Sequence, residues 1–283
     1  MRRVTTKREL RAALAACTSP QRVLVPTMGA LHEGHAALLR QARELAGSEG
    51  VVVASVFLNP TQFDNAGDLT AYPRTPEEDV NLCEECGVDI LFMPEPQEMY
   101  REDRSVVVEE TSLAKVLCGA SRPGHFAGVC LVVSKLFNLV QPTDAVFGKK
   151  DYQQLAIIRR MVRDLDFPIT VHGVDTVREK DGLAISSRNV RLTPEHRAAA
   201  PAIYSSLLEA QQAYARGAAA DEVCGVVRRA LAAIPGVRVD YAELADAETL
   251  QPVQDAETPA VLAVAAWFGE VRLIDNLEMN PLS

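Results

Sequence analysis

Residues Arg22-Val23-Leu24-Val25-Pro26-Thr27-Met28-Gly29-Ala30-Leu31-His32-Glu33-Gly34-His35 decide the fold. Arg22 to Val25 is a short β-branched apolar run of the kind that makes a buried strand. A loop follows, and a helix is predicted over Gly34 to Leu45. A loop joining a strand to the helix it feeds is where open α/β sheets bind ligands, at the carboxyl ends of their strands. Gly29 and Gly34 let the backbone approach a ligand closely. The helix start offers unpaired N–H groups and a partial positive charge suited to phosphate. His32 and His35 project to one side of that turn and can donate hydrogen bonds to a phosphoryl group as its charge grows. Three of the chain's five histidines, His32, His35 and His125, fall in glycine-containing loops.

Working outward, apolar strand candidates alternate with helical segments through about residue 175, the pattern of a parallel α/β sheet. Val51 to Leu58, Asp89 to Phe92, Ala145 to Phe147 and Ile169 to Val171 join Arg22 to Val25 as five strands. Beyond Thr176 the order becomes helices then strands. Pro194 to Arg216 and Asp221 to Ile234 read as Ala-rich helices, Val237 to Leu244 and Ala260 to Trp267 as strands. The expected architecture is a Rossmann-like α/β domain over residues 1–176 with a smaller α+β domain over 177–283. The smaller domain is expected to cover the site more than to build it.

Composition narrows the function. Net charge is −9, from 29 basic and 38 acidic residues. That balance does not suit general nucleic-acid binding, which needs phosphate neutralisation by Lys and Arg. A small anion held by a few basic groups remains compatible with it. No run approaches the ~18 apolar residues of a membrane span, and no secretory signal is seen, so a cytoplasmic, membrane-free protein is expected. Cys83-Glu84-Glu85-Cys86 has C-x-x-C spacing but lacks a second pair or a His pair, so inert thiols are expected and no protein-held metal.

Three further polar segments suit the same chemistry. In Asn59-Pro60-Thr61-Gln62 a strand ends at a proline. Its two amides can read hydroxyl and carboxylate oxygens, or merely cap a turn. Gly148-Lys149-Lys150-Asp151 is a second loop-to-helix junction; Lys150 suits a triphosphate, and Asp151 is a ligand contact or a helix cap. Gln154 lies about one helical turn further on and can face the same cavity as Asp151. Ile185-Ser186-Ser187-Arg188 brings two hydroxyls and a guanidinium fork suited to β- and γ-phosphates.

The string Pro26 to His35, with its His-x-Gly-His element, closely resembles the ATP-binding signature of the pantothenate synthetases, in the nucleotidyltransferase superfamily. Further blocks follow in that family's order: Phe57 to Phe63, Tyr72-Pro73-Arg74-Thr75, Arg122-Pro123-Gly124-His125 through Val129, Phe147 to Leu155, Asp181 to Asn189, and Arg272-Leu273-Ile274-Asp275-Asn276. The resemblance implies a nucleotidyltransferase fold and an ATP-dependent ligase that joins pantoate to β-alanine through an acyl-adenylate, with Mg²⁺. It implies an ATP site of Pro26, Met28, Gly29, Ala30, Leu31, His32, Glu33, Gly34, His35, Gly148, Lys149, Lys150, Asp151, Val177, Ile185, Ser186, Ser187 and Arg188. Among these, His32, His35, Lys150 and Arg188 are implied to neutralise the departing pyrophosphate. Gln62, Gln154, Asn59, Arg122 and His125 are implied to hold or flank pantoate. The 185–188 loop resembles the superfamily's mobile phosphate loop, carried on a lid domain, and the family is typically homodimeric. Two departures stand near the nucleotide segments: Lys149, where Glu or Gln is usual, and Asp175, where Pro is common. Cys130 is a third, replacing a small or hydroxylated residue. Two rivals are another nucleotidyltransferase, which would lack the Asn59 and Arg122 blocks, and a catalytically silent ATP-binding protein on the same fold.

Overall fold

A computed structural model describes residues 1–64, 66–254 and 259–280. Residues 255–258 and 281–283 of the second expected domain lie outside the described residues. The chain divides into two compact units. One comprises Met1–Glu110, Arg122–Lys149 and Ile157–Asp175; the other comprises Thr111–Ser121, Lys150–Ala156 and Thr176–Ser283.

The first unit is a parallel sheet of six strands: β1 (Arg2–Val4), β2 (Arg22–Thr27), β3 (Val51–Val56), β4 (Ile90–Phe92), β5 (Asp144–Gly148) and β6 (Thr170–Val174). Their order is β1-β4-β3-β2-β5-β6, so the α/β expectation holds, with one strand more than expected in this unit. The extra strand, β1, is a three-residue edge strand carrying Arg2 and Arg3, too short and basic to register as apolar patterning. Central β2 is apolar because both its faces are covered: Val23, Leu24 and Val25 are fully buried. Helix Glu33–Ala46 turns Ala36, Leu39 and Ala42 inward, one per helical turn, onto that core. The chain leaves β2 towards β3 on one side, while β5 returns to its other side. The gap between β2 and β5 is therefore the topological switch point, where such sheets bind ligands.

The second unit packs helices Ala202–Ala215 and Ala220–Ala232 with an antiparallel sheet of β7 (Val237–Asp246), β8 (Ala260–Phe268) and β9 (Val271–Met279). Leu207, Val227, Leu231, Leu262, Val264 and Phe268 belong to its core. The single helical stretch expected from Pro194 to Arg216 is two helices, Pro194–Ala199 and Ala202–Ala215. Pro201 explains the break, since it has no N–H to continue the ladder. Helix His125–Val140 follows the Pro-Gly-His segment as expected, whereas helix Lys7–Ala15 and strand β9 have no counterpart among the expected elements. No helix among the described residues is long and apolar enough to cross a membrane.

Candidate active site

In the first unit, β2 runs out at Thr27 and the chain turns through Gly29 at φ 91° and Ala30 at φ 51° before His32 caps the next helix. Left-handed backbone costs an alanine roughly 1 kcal/mol, so something must hold Ala30 there. The carboxylate of Asp79, only 2% exposed, supplies the restraint. Its Oδ2 accepts the Ala30 N–H at 3.1 Å, and its Oδ1 accepts the Leu31 N–H at 2.7 Å and the Thr75 hydroxyl at 3.0 Å. A Cβ on Gly29 would stand 3.0 Å from both Asp79 Oδ2 and a Val56 methyl, so only glycine fits. Sequence reading passed over Asp79. Its signal was there: an acid lying on the buried side of helix Pro76–Glu85 with Val80 and Cys83.

The two imidazoles of this loop sit with ring centroids 4.1 Å apart. The His32 backbone N–H donates to His35 Nδ1 at 3.3 Å. A backbone N–H can only donate, so neutral His35 must carry its proton on Nε2. That tautomer is the one that presents a donor to a phosphoryl oxygen.

Beyond β3, Asn59 begins the one-turn 3₁₀ helix Pro60–Gln62 and is 1% exposed. Its Oδ1 accepts from the Thr61 N–H at 3.3 Å, the Thr61 hydroxyl at 2.8 Å and the Tyr100 hydroxyl at 2.8 Å. Its Nδ2 donates to Gln62 Oε1 at 2.9 Å and to the Gly128 carbonyl at 3.2 Å. Burial pushes the Tyr100 phenol up, which keeps it a donor. Gln62 Nε2 in turn reaches Met28 Sδ at 3.1 Å, joining the amide segment to the phosphate loop.

The Pro-Gly-His segment grips the same turn from its other side. His125 Nδ1 lies 2.7 Å from the Gln62 carbonyl, which accepts, so the ring is protonated at Nδ1; Nε2 is then left to accept from Arg122 at 3.4 Å. Arg122 also clasps Asp64 through Nε and Nη2, at 3.1 and 3.0 Å. A Cβ at Gly128 would meet the Thr61 carbonyl at 2.3 Å, so glycine is what lets helix His125–Val140 approach this turn. Asn59, Arg122 and His125 thus spend their visible bonds on positioning Gln62 and its neighbours.

Lys149 and Asp175, the two departures from the family pattern, pair with each other at 2.9 Å, from the ends of adjacent strands β5 and β6. Lys149's charge is thereby met by a carboxylate in the protein itself. Cys130, the third departure, is buried, and burial pushes its thiol up to about 11. Cys83 and Cys86 are buried thiols on helix Pro76–Glu85 and its C-cap; desolvation pushes Cys83 up to about 12 and Cys86 up as well, disfavouring the thiolate that metal or redox chemistry needs.

The second unit holds Lys150, Asp151, Gln154, Val177 and Ile185 to Arg188. The Lys150 carbonyl accepts from Asn276 Nδ2 at 2.9 Å, and its ammonium lies 3.9 Å from the half-exposed Asp151 carboxylate. Gln154 is half-buried. Val177 and Ile185 are tied by an N–H···O bond of 3.0 Å across a turn at Glu179–Leu183. Arg178, beside Val177, makes a two-pronged pair with Asp275 at 2.6 and 2.9 Å and lies over the Tyr204 ring at 3.6 Å. Ser186 Oγ accepts the Arg188 N–H at 3.2 Å, and Asn189 holds the Ala184 carbonyl at 3.0 Å. The block Arg272 to Asn276 on β9 thus explains itself: Asp275 anchors Arg178, and Asn276 anchors Lys150.

A parallel α/β sheet whose central strand β2 ends in a strained glycine-containing loop and a histidine pair, with an amide reaching Met28 of that loop, marks an α/β protein with a candidate anion site. The chain belongs to the pantoate–β-alanine ligase family, whose model matches residues 2–278. A pantothenate synthetase of Akkermansia muciniphila is 58% identical over 281 residues, spanning 99% of this chain and 100% of its own. The crystal structure of pantothenate synthetase from Thermus thermophilus superimposes with a TM-score of 0.93 at 50% identity, covering 99% of this chain and 100% of that one. A pantoate–β-alanine ligase from Francisella tularensis, solved complexed with "beta-gamma ATP" and β-alanine, gives 0.81 at 30% identity over 98% of this chain and 97% of its own.

Proposed function

We propose that this chain condenses pantoate with β-alanine at the expense of ATP, releasing AMP and pyrophosphate. The observation that carries this reading is the 3.1 Å contact of Gln62 Nε2 with Met28 Sδ, which sets the acid-reading amide against the phosphate loop. A carboxylate does not react unaided with an amine, because oxide would have to leave. A pantoate carboxylate oxygen therefore attacks the α-phosphorus of ATP, the bond to the β-phosphate breaks, and pyrophosphate departs. The free amine of β-alanine then attacks the acyl carbon, the bond to AMP breaks, and a proton is released. Catalysis is positioning and charge neutralisation, without a covalent enzyme nucleophile.

In this reading the His35 Nε2–H, His32, Lys150 and Arg188 meet the growing pyrophosphate charge. Pro26, Ala30, Leu31, Glu33, Gly34 and Gly148 line the nucleotide, and Ser186 and Ser187 donate to its phosphates. Residues 177–283 serve as the lid domain, with Ile185 and the adenine contact Val177. Gln62 and Gln154 hold the acid. Among the described residues no group of three or more His, Cys, Asp or Glu is poised to hold a metal. In this reading Mg²⁺ would arrive on the phosphates of ATP, with Asp151 as a carboxylate partner, as Mg²⁺ commonly takes only one or two protein carboxylates. When bound, it adds neutralising charge to the phosphate chain.

The same reading makes the chain a cytoplasmic homodimer. All six cysteines are free thiols, in keeping with a reducing compartment. Val106 and Val107, 72% and 70% exposed, lie in the irregular stretch Arg104–Glu110. Antiparallel pairing of two such stretches about the valines would set Arg104 against Glu109, so a second copy is the matching partner, and sedimentation should report twice the chain mass. The reaction itself is tested by leaving out each substrate in turn. In a single turnover, pyrophosphate should appear with ATP and pantoate alone. A requirement for β-alanine in that burst would overturn the stepwise scheme, and no burst in any mixture would overturn the ligase reading.

A further inference from the structure

The substrate-facing amide of Gln62 is fixed in polarity by groups whose own polarity cannot be reversed. An amide can ordinarily be turned over, because its oxygen and nitrogen ends have the same shape. Here the chain of bonds starts from two backbone groups. The Thr61 N–H donates to Asn59 Oδ1, and the Gly128 carbonyl accepts from Asn59 Nδ2, at 3.3 and 3.2 Å. Asn59 therefore cannot flip without facing donor to donor and acceptor to acceptor inside a buried site. The hydroxyls of Thr61 and Tyr100, both at 2.8 Å, reinforce the same end. With its nitrogen so directed, Asn59 must donate to Gln62, and Gln62 Oε1 is the atom that accepts, at 2.9 Å.

We propose that Gln62 meets the acid substrate as a hydrogen-bond donor only, and that Asn59 is the positioning residue that enforces this. The backbone of Gln62 is held as well, by His125 at its carbonyl, so the whole residue is presented in one pose. One of its Nε2 protons goes to Met28 sulfur, a weak acceptor. The other is the group a carboxylate or hydroxyl oxygen of the acid would take. A site wired this way accepts an oxygen lone pair and rejects a donor such as an ammonium at the same place, because buried like-to-like contacts are costly. This rests on the reading that Gln62 touches pantoate.

The test is pantoate affinity by calorimetry, with a non-reacting ATP analogue present, for wild type, Gln62→Glu, Gln62→Ala and Asn59→Asp. Gln62→Glu keeps the shape and the acceptor for Asn59, but turns an acceptor toward the acid. It should weaken pantoate by ~100-fold at pH 8, the scale of a reversed charge-assisted contact. Relative to wild type at the same pH, affinity should recover several-fold near pH 5, as the introduced carboxyl gains a proton and becomes a donor again. Asn59→Asp, which reverses the polarity one bond back, should weaken pantoate by at least ~10-fold while ATP affinity stays within about twofold. Wild-type-like pantoate binding by Gln62→Glu, with weak binding by Gln62→Ala, would overturn the donor-only assignment. Wild-type-like binding by Gln62→Ala would instead remove Gln62 from the acid site altogether. Loss of ATP and pantoate affinity together in Asn59→Asp would reduce Asn59 to a folding role.

Discussion

The molecule holds two candidate phosphate-binding loops, and they are stabilised by opposite means. The loop Gly29 to His35 is strained backbone locked from beneath: Gly29 and Ala30 are left-handed, and the buried Asp79 carboxylate holds two of its N–H groups. The loop Ile185 to Arg188 contains no left-handed residue. It is tied at its base by the ion pair of Arg178 with the buried Asp275, and around its rim by Arg197 with Glu179 and Asp181. Strain persists only where the surroundings over-determine it, so the first loop is fixed before any ligand arrives. The second is held by side chains along its margins, Arg178 on one side and Asn189 on the other, and Val190 just past it is 81% exposed. Such a loop keeps the freedom that a closing phosphate clamp needs.

The largest effect should come from the base of the second loop. Asp275 is 4% exposed, and Arg178→Ala would leave its carboxylate buried without its cation. Breaking a buried pair from one side costs about 3–5 kcal/mol, so calorimetry should show the melting temperature down by roughly 10 °C. An unchanged melting temperature would mean that this pair does not anchor the loop. The next effect belongs to the first loop. Asp79→Asn keeps one acceptor but turns an NH₂ group toward a backbone N–H. Pyrophosphate release from ATP and pantoate should slow by ~10²-fold, the cost of one misplaced transition-state donor, with pantoate affinity unchanged. If pantoate affinity fell in parallel, Asp79 would be supporting the whole unit and not the phosphate loop.

The first loop's location could be read from the chain, but its strain could not. A strand, two glycines and a helix start within Arg22 to His35 announce a strand-to-helix loop because each has a local cause. Ala30 in the left-handed region has none, since alanine gives no sign of positive φ, and the residue that holds it there is 49 positions away. The amide segment is only partly legible, for another reason. Asn59 and Gln62 look alike in sequence as readers of oxygen, and only the backbone partners of Asn59 show that its amide is consumed by the protein. The role of β9 was hidden similarly: Asp275 reaches Arg178 across 97 positions and Asn276 reaches Lys150 across 126. Pro201 is the opposite case. Its missing N–H is a local signal for a break, set within an otherwise uniform alanine-rich stretch.

The smallest effect concerns the rim of the second loop, and it carries a pH sign. Arg197 holds the Asp181 carboxyl below the usual carboxylate range, chiefly by hydrogen bonding, and its own guanidinium is pushed up by Asp181 and then Glu179. A carboxyl depressed in the folded chain stabilises it above the ordinary carboxylate pKa and loses that contribution as pH falls through the lowered value. The partners are part-exposed, so each pair contributes only ~0.5 kcal/mol after solvent screening. Arg197→Ala should therefore speed amide exchange over residues 179–191 by only ~2–5-fold at neutral pH, leaving residues 29–35 untouched. Raising the salt to ~1 M, where the Debye length is ~3 Å, should bring wild type most of the way to the variant. Acidification should do the same to residues 179–191 by protonating Asp181. Equal acceleration in both loops would erase the distinction between a loop locked from its core and one held by its rim.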